Sequence, residues 1–388
     1  MTPQSSQVAV LSHESEISDA FRPSPKVAGI ADARLDVDLA AVRANFAEMQ
    51  RRFTGRSVTA VVKSNAYGLG LEPVVASLLA AGCDTLWVDD LDEALRVRAL
   101  APSATVYTLL GLAGREPIAF WRAEVIPVLV SVAEMRAVAA FAAASGIAVP
   151  VAIQIDTGLG RLGLTGEELG DRAMLDALWR HLDIKAWVSH LAAFDQPADA
   201  RNDDQYHRLT EWLAELPKAP VSLASSSGVY WPSPWHFDIA RVGSALYGVQ
   251  TSRVWQEGLM PCYRLSGRIL RIADYAAGRQ LGYAGTELKR ASRIATVAIG
   301  YANGLPQRFG QSLQARVGDM LVETVGGIAM NLTMVDVTDI DPQDLEGHPE
   351  VVFLDAGLPL EPLAQACNCA PNALLTAIGA GTRKVYSE

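Results

Sequence analysis

Between Ser57 and Gly248 the chain alternates short, apolar, β-branched runs with Ala/Leu/Arg-rich runs at helical period, and no other feature constrains the fold as strongly. Val58–Lys63, Thr85–Val88, Thr105–Leu110, Val125–Val130, Val149–Asp156, Ile184–His190, Pro220–Ala224 and Phe237–Val242 read as eight strands. Leu71–Ala81, Leu91–Leu100, Glu116–Arg122, Ala133–Ala144, Arg172–Leu182 and Asp204–Leu216 read as the helices between them. Near-continuously apolar strands separated by helices imply a parallel sheet covered on both faces, and eight such units imply a closed, TIM-like (β/α)₈ barrel of the α/β class. A doubly wound open sheet is the alternative for the same alternation.

From about Tyr263 the character changes. Arg268–Ile272, Arg293–Ile299, Gln314–Val325, Leu332–Val337 and Val351–Leu354 read as strands divided by Gly, Asp and Asn turns, with one helix at Leu360–Ala366. The expected organisation is an N-terminal extension over residues 1–33, disordered, a barrel over 34–262 and a mostly β C-terminal domain over 263–388.

Charge narrows the partners. The 388 residues carry 33 Lys+Arg against 43 Asp+Glu, a net −10, with no basic run, so a phosphate backbone is repelled and no nucleic-acid partner is expected. A small anion needs a local cationic site. The four cysteines lack both disulfide-framework density and metal-ligand spacing, so they read as free thiols of a reducing compartment, with no metal. The apolar run Val8–Leu11 is too short for a secretory signal, and no stretch reaches the ~20 apolar residues of a membrane span, so a cytoplasmic location with no membrane partner is expected.

Chemistry in such barrels sits at the C-terminal ends of the strands. The first candidate strand ends at Lys63, followed by Ser-Asn-Ala-Tyr-Gly-Leu-Gly. Desolvation at a strand end favours the neutral amine that attacks a carbonyl, although such a lysine can equally snorkel to solvent. The fifth ends in Asp156-Thr-Gly-Leu-Gly-Arg161-Leu-Gly, a loop that either brings a guanidinium to a substrate carboxylate or is a flexible turn with a solvated arginine. The sixth ends at His190, the seventh leads to Ser225-Ser226-Ser227-Gly228, and the eighth carries Arg241-Val242-Gly243-Ser244. Hydroxyls and glycine-exposed N–H groups after strands seven and eight are a recurrent phosphate site. Together these residues suggest a phosphorylated carbonyl cofactor and a lysine that holds it.

The same residues carry a family resemblance. Ala60–Gly70 (AVVKSNAYGLG), Ile155–Gly163 (IDTGLGRLG), Arg241–Gly248 (RVGSALYG), Leu281–Thr286 (LGYAGT), Ile299–Gly304 (IGYANG) and Met330–Thr338 (MNLTMVDVT) resemble, in order, the alanine racemases. The resemblance runs from about Ala33 to the C-terminus and implies a barrel, a C-terminal β-domain and pyridoxal 5'-phosphate. It implies that Lys63 links covalently to the cofactor and serves as one acid/base group, while Tyr283 from the partner subunit is the other, which makes a homodimer with shared active sites. Tyr67, Ser226, Gly243 and Ser244 would hold the phosphate, and His190 would pack near the ring. Arg161 would lie near the substrate carboxylate and the Tyr283 phenolate, and with His190 would ease deprotonation of that phenol. Met330 and its neighbours would complete that end, with Tyr301 counted among the substrate contacts. Arg241 would face the pyridine nitrogen. An arginine there can only donate, so the ring nitrogen stays unprotonated and prompt reprotonation of Cα, hence racemisation, is favoured over transamination.

Departures from the family cluster at the substrate end. Gln154 stands where many members have a carbamylated lysine, so Arg161 must be oriented by a neutral contact or a bound anion. Gly327 replaces an arginine and Asn331 an aspartate. Ala380 stands where a tyrosine narrows the entrance. Loss of that phenol enlarges the pocket and suggests that amino-acid substrates larger than alanine, such as serine, are accepted. Two other readings compete: a decarboxylase of the same fold, whose triple-glycine phosphate loop and Cys-containing segment are absent, and a non-catalytic or degenerate pyridoxal-phosphate-binding protein.

Overall fold

The computed structural model describes residues 33–283, 285–307 and 312–388. The expected N-terminal extension lies, except for Ala33, outside the described residues. All eight barrel strands form: β2 (Ser57–Val61), β3 (Thr85–Val88), β4 (Thr105–Thr108), β5 (Val125–Leu129), β6 (Val149–Gln154), β7 (Leu182–Val188), β8 (Val221–Ser222) and β9 (Ile239–Val242). Their order is β8-β7-β6-β5-β4-β3-β2-β9, and every neighbouring pair is parallel. A parallel bridge between Ser225 and Arg241, with Arg241 N donating to Ala224 O at 2.9 Å, joins the two ends of this row. The sheet closes into a barrel, which removes the open-sheet alternative.

Period-two alternation explains what fills it. Val61, Trp87, Tyr107, Val128, Ala152, Ala186 and Val188 form one buried cluster, while their chain neighbours Leu86 and Val88, Val106 and Leu129 belong to a second cluster with the surrounding helices. The first set is the barrel interior. Trp87 stacks on Tyr107 with ring centroids 4.0 Å apart, and its indole N–H donates to Thr59 Oγ1 at 2.8 Å, so a large buried polar group is satisfied. Helix starts are capped where the sequence places Asp or Ser: Asp90 accepts from Glu93 N and Ser131 from Glu134 N.

The first strand departs from the expected division. Residues from 34 were assigned to the barrel, but β1 (Ala33–Asp38) pairs antiparallel with β10 (Tyr263–Tyr275) and parallel with the C-terminal strand Arg383–Ser387. Its sequence, Ala-Arg-Leu-Asp-Val-Asp, alternates, and only Leu35 and Val37 are buried, which suits a one-sided sheet rather than a barrel wall. Asp38 then caps the helix Leu39–Arg52 and hands the chain to the barrel.

The C-terminal region is mostly β, as expected. In chain order β11 (Gln280–Leu281) and β12 (Thr286–Glu287) form a small ribbon, and β13 (Ser292–Val297), β14 (Gln314–Val317), β15 (Met320–Thr324), β16 (Thr333–Asp336), β17 (Glu350–Leu354) and β18 (Arg383–Ser387) join β1 and β10. Their order is β13-β16-β15-β14-β17-β10-β1-β18, and β10 also pairs with β13 past an irregularity between Ile269 and Arg271. The single strand expected over Gln314–Val325 is instead a hairpin, because Gly318, with φ +55°, turns the chain between Val317 and Met320. The small β11–β12 ribbon, the helices Pro342–Gly347 and Pro371–Gly381, and β18 are not among the expected elements. Among the described residues no helix is long and apolar enough to cross a membrane.

Candidate active site

Lys63 lies just past the end of β2 rather than inside a strand, because the strand stops at Val61. There the chain enters an unusual conformation: Ser64, Asn65, Ala66 and Tyr67 all have φ between 53° and 56°. Four consecutive left-handed residues with side chains are unfavourable and persist only where surroundings over-determine them. Here the Glu93 carboxylate accepts from Ser64 N at 3.2 Å and Asn65 N at 2.7 Å, and Asn65 Oδ1 accepts from Leu71 N at 3.0 Å. From the other side the helix Pro371–Gly381 presses on the turn, since a Cβ added at Gly379 would lie 2.4 Å from Gly68 O. The expected desolvation of the amine is not what forms. The Lys63 side chain stays 37% exposed and its Nζ lies 3.1 Å from Asp89 Oδ1.

Lys63 lines a cavity of about 350 Å³ together with Tyr67, His190, Ser226, Arg241, Gly243, Ser244 and Arg161. Eight residues separated by up to 181 positions in sequence therefore meet at one barrel mouth. Arg241 is buried; its Nη1 donates to Ser222 O at 2.7 Å and Ser222 Oγ at 2.6 Å, and its Nη2 donates to Ser189 O at 2.6 Å. Burial pushes its pKa down to about 10, which leaves the guanidinium charged at neutral pH. His190 is pushed down to about 3, first by burial and then by the cations of Arg241, Arg161 and Lys63. Its ring is neutral in the physiological range, so it cannot assist a phenolate as a cation, contrary to expectation. Burial, and then the Asp89 charge, push the Tyr67 phenol up, so it remains a hydrogen-bond donor.

Hydroxyls gather at one part of the cavity. Ser226 Oγ accepts from Gly243 N at 3.0 Å and Ala245 N at 3.2 Å, and Ser244 Oγ lies 3.2 Å from Thr251 Oγ1. Gly243 is required by contact, not by torsion, because a Cβ there would sit 2.3 Å from Tyr67 Oη. Arg161 is exposed at the rim, with no hydrogen bond to an acceptor among the described residues. Gln154, buried, donates from Nε2 to Leu162 O at 3.0 Å. This contact is made to the backbone beside Arg161 and not to its guanidinium, so the expected neutral partner of Arg161 is not formed among the described residues.

A second, open cleft adjoins the cavity, lined by Lys63, Ser64, Tyr67, Asn372, Thr376 and Ala380. Ala380 shares this cleft with Lys63. Asn372 lines both spaces, and its Oδ1 is buried without a partner. Tyr283, Tyr301 and Met330 are not brought to either space: they are 86%, 38% and 55% exposed. Tyr301 and Met330 do stand together, through Tyr301 N to Ala329 O at 3.0 Å and Ala302 N to Met330 O at 2.9 Å. Sequence inspection missed Asp89, Thr251 and Asn372. Asp89 ends a candidate strand and could have been found by the rule that found Lys63; the other two follow no strand and carry no such signal.

The cavity's chemistry fits a phosphorylated aldehyde. It offers one primary amine, a cluster of hydroxyls with backbone N–H groups, a buried cation, and an acceptor at Asn372 still lacking a donor. Comparisons with known proteins agree with this chemistry. The models of the alanine racemase N-terminal and C-terminal domains match residues 37–251 and 262–386. The alanine racemase of Brucella canis is 35% identical over 368 residues, covering 91% of this chain and 93% of that protein. The structure of alanine racemase from Bartonella henselae with covalently bound pyridoxal phosphate superposes with a TM-score of 0.86 at 29% identity, covering 92% of this chain and all of that one. A histidine racemase from Leuconostoc mesenteroides shares the fold, with a TM-score of 0.81 at 23% identity over 93% of this chain and 99% of that one. The chain belongs to the alanine racemase family, and with it to the isomerases.

Proposed function

We propose that the protein is a pyridoxal-phosphate-dependent racemase that interconverts L- and D-alanine with two bases, Lys63 and the Tyr283 of a partner subunit. The observation that supports this most directly is the cavity that unites Lys63 with Tyr67, Ser226, Gly243, Ser244 and Arg241. Lys63 would hold the cofactor covalently, Tyr67, Ser226, Gly243 and Ser244 its phosphate, and Arg241 its ring nitrogen. When bound, the cofactor withdraws electrons from an amino acid joined to it and so acidifies the Cα–H.

The remaining chemistry belongs to the protein. Lys63 Nζ takes or returns a proton on one face of Cα, and Tyr283 Oη does so on the other. Arg161 at the rim pairs with the substrate carboxylate, and Gln154 fixes the loop that carries it. Arg241 can only donate, so it withholds the proton that would make the ring a stronger electron sink, and the proton returns to Cα promptly. Tyr283, 86% exposed in the isolated chain, reaches a site only across a dimer interface, which Tyr301 and Met330 would share. Ala380 leaves the entrance wide, so we include serine among the substrates.

Chiral chromatography of the protein incubated with pyridoxal phosphate and L-alanine or L-serine tests this reading, with Lys63→Ala as control. D-alanine is expected from the intact protein, with a loss of at least about 10³-fold in the control. Cofactor capture at Lys63 without any inversion would overturn it in favour of a non-catalytic binding protein. A serine-to-alanine ratio of kcat/KM no higher than that of a strict alanine enzyme would remove serine from the proposal.

A further inference from the structure

Two carboxylates, Asp89 just past β3 and Glu93 in the first turn of the helix Leu91–Leu100, meet the Lys63 turn, and they do different things. Glu93 accepts from the backbone, at Ser64 N, Asn65 N and also Asp89 N (3.3 Å), and so holds the turn's shape. Asp89 reaches past the backbone: its Oδ1 lies 3.1 Å from Lys63 Nζ and its Oδ2 accepts from Ser64 Oγ at 3.3 Å. Asp89 is the one carboxylate among the described residues that line the cavity, where Lys63 is otherwise faced by Arg161, Arg241, the neutral His190 and the protonated Tyr67. Among the described residues Asp89 is the acceptor that takes the Lys63 amine. The pair is also accessible, with 37% of the Lys63 and 23% of the Asp89 side chain exposed, so it can open.

We propose that Asp89 is a positioning residue for Lys63: it holds the free amine at the β3 side of the cavity and receives it again whenever it is released. This rests on the reading of Lys63 as the reacting amine. An amine held against the Asp89 carboxylate is aimed away from an incoming carbonyl carbon, so Lys63 must leave Asp89 before it can attack. Asp89 therefore sets how readily Lys63 captures its cofactor, while Glu93 supplies only the frame.

The test is competitive acetylation of the full chain, stripped of bound carbonyl compound with hydroxylamine, with the Lys63 peptide quantified by mass spectrometry against exposed Lys218. Asp89→Asn keeps the side chain's size and an acceptor oxygen but loses the charge; Asp89→Glu restores the charge. At neutral pH, Asp89→Asn should raise Lys63 acetylation roughly 3- to 10-fold, and Asp89→Glu should hold it within about twofold of the parent. The same rise in Glu93→Gln, or no rise in Asp89→Asn, would overturn the proposal. Capture of pyridoxal phosphate, followed by absorbance in the same samples, should be faster in Asp89→Asn by a similar factor. A parent chain that never captures pyridoxal phosphate at Lys63 refutes the cofactor reading, and the acetylation ratios still decide the role of Asp89.

Discussion

The mouth of the barrel and the exposed residues of the β-domain both carry aromatic and polar groups, yet the first are mostly packed and hydrogen-bonded within the chain and the second stand open. At the barrel mouth Arg241 makes three hydrogen bonds, Ser226 accepts two N–H groups, and Gly243 lies against Tyr67 with no room for a methyl group. On the β-domain, Tyr283, Met330, Leu332 and Tyr301 stand 86%, 55%, 42% and 38% exposed. Tyr301, Met330 and Leu332 stand together, through Tyr301 N to Ala329 O and Ala329 N to Leu332 O, and large apolar groups left open together mark a candidate interaction surface. Under the proposed mechanism both sets serve turnover, while only the packed set contributes to the stability of the isolated chain.

Substitutions on the two sides should separate on that basis. The largest effect belongs to Tyr283→Phe, expected to lower kcat by about 10²- to 10⁴-fold while the stability of the chain changes by no more than about 0.5 kcal/mol. Parallel steady-state assays and urea unfolding check both halves, and a large loss of stability would break the comparison. Gly243→Ala is the counterpart on the barrel side. Its Cβ collides with Tyr67 Oη, so it should cost about 1–3 kcal/mol, and adding Tyr67→Phe should return much of that. Equal unfolding midpoints for the parent and the single variant would show that the cavity is looser than described.

A smaller effect sharpens the electrostatic side. The His190 pKa falls from its ordinary 6.5 to about 3 in the folded chain, so between those values the unfolded chain binds the extra proton. Stability from this group is complete above about pH 6.5 and drains as pH falls toward 3, and His190→Gln should flatten that part of the acid-unfolding profile. Activity between pH 7 and 8 should show no titration of this ring, which solution NMR of the imidazole protons can follow.

Much of this was legible in the sequence because barrel strands advertise themselves. Strands buried on both faces are continuously apolar, and the residue that ends one is the odd polar group, which is how Lys63, Arg241 and His190 could be picked out. The β1 strand was misassigned because six alternating residues carry no label for which sheet they join; its partners lie more than 200 positions away. The helix Pro371–Gly381 offered Pro371 at its first turn, a start signal that went unread, and with it went Asn372. The hairpin at Gly318 was hidden by apolar flanks that read as one long run. The Lys63–Asp89 pair and the left-handed turn were beyond reach, since both depend on β3 standing beside β2 and on Glu93 reaching backbone N–H groups.

If a working site takes Lys63 from one chain and Tyr283 from another, two differently damaged chains should repair each other by subunit complementation. Lys63→Ala and Tyr283→Phe variants, each inactive alone, are mixed under conditions that exchange subunits, and native mass spectrometry counts the mixed dimers. Each mixed dimer would carry one doubly damaged site and one intact site, so full random exchange should restore about a quarter of the parent's activity. Mixed dimers that form in the expected proportion and remain as inactive as the two variants would contradict the account.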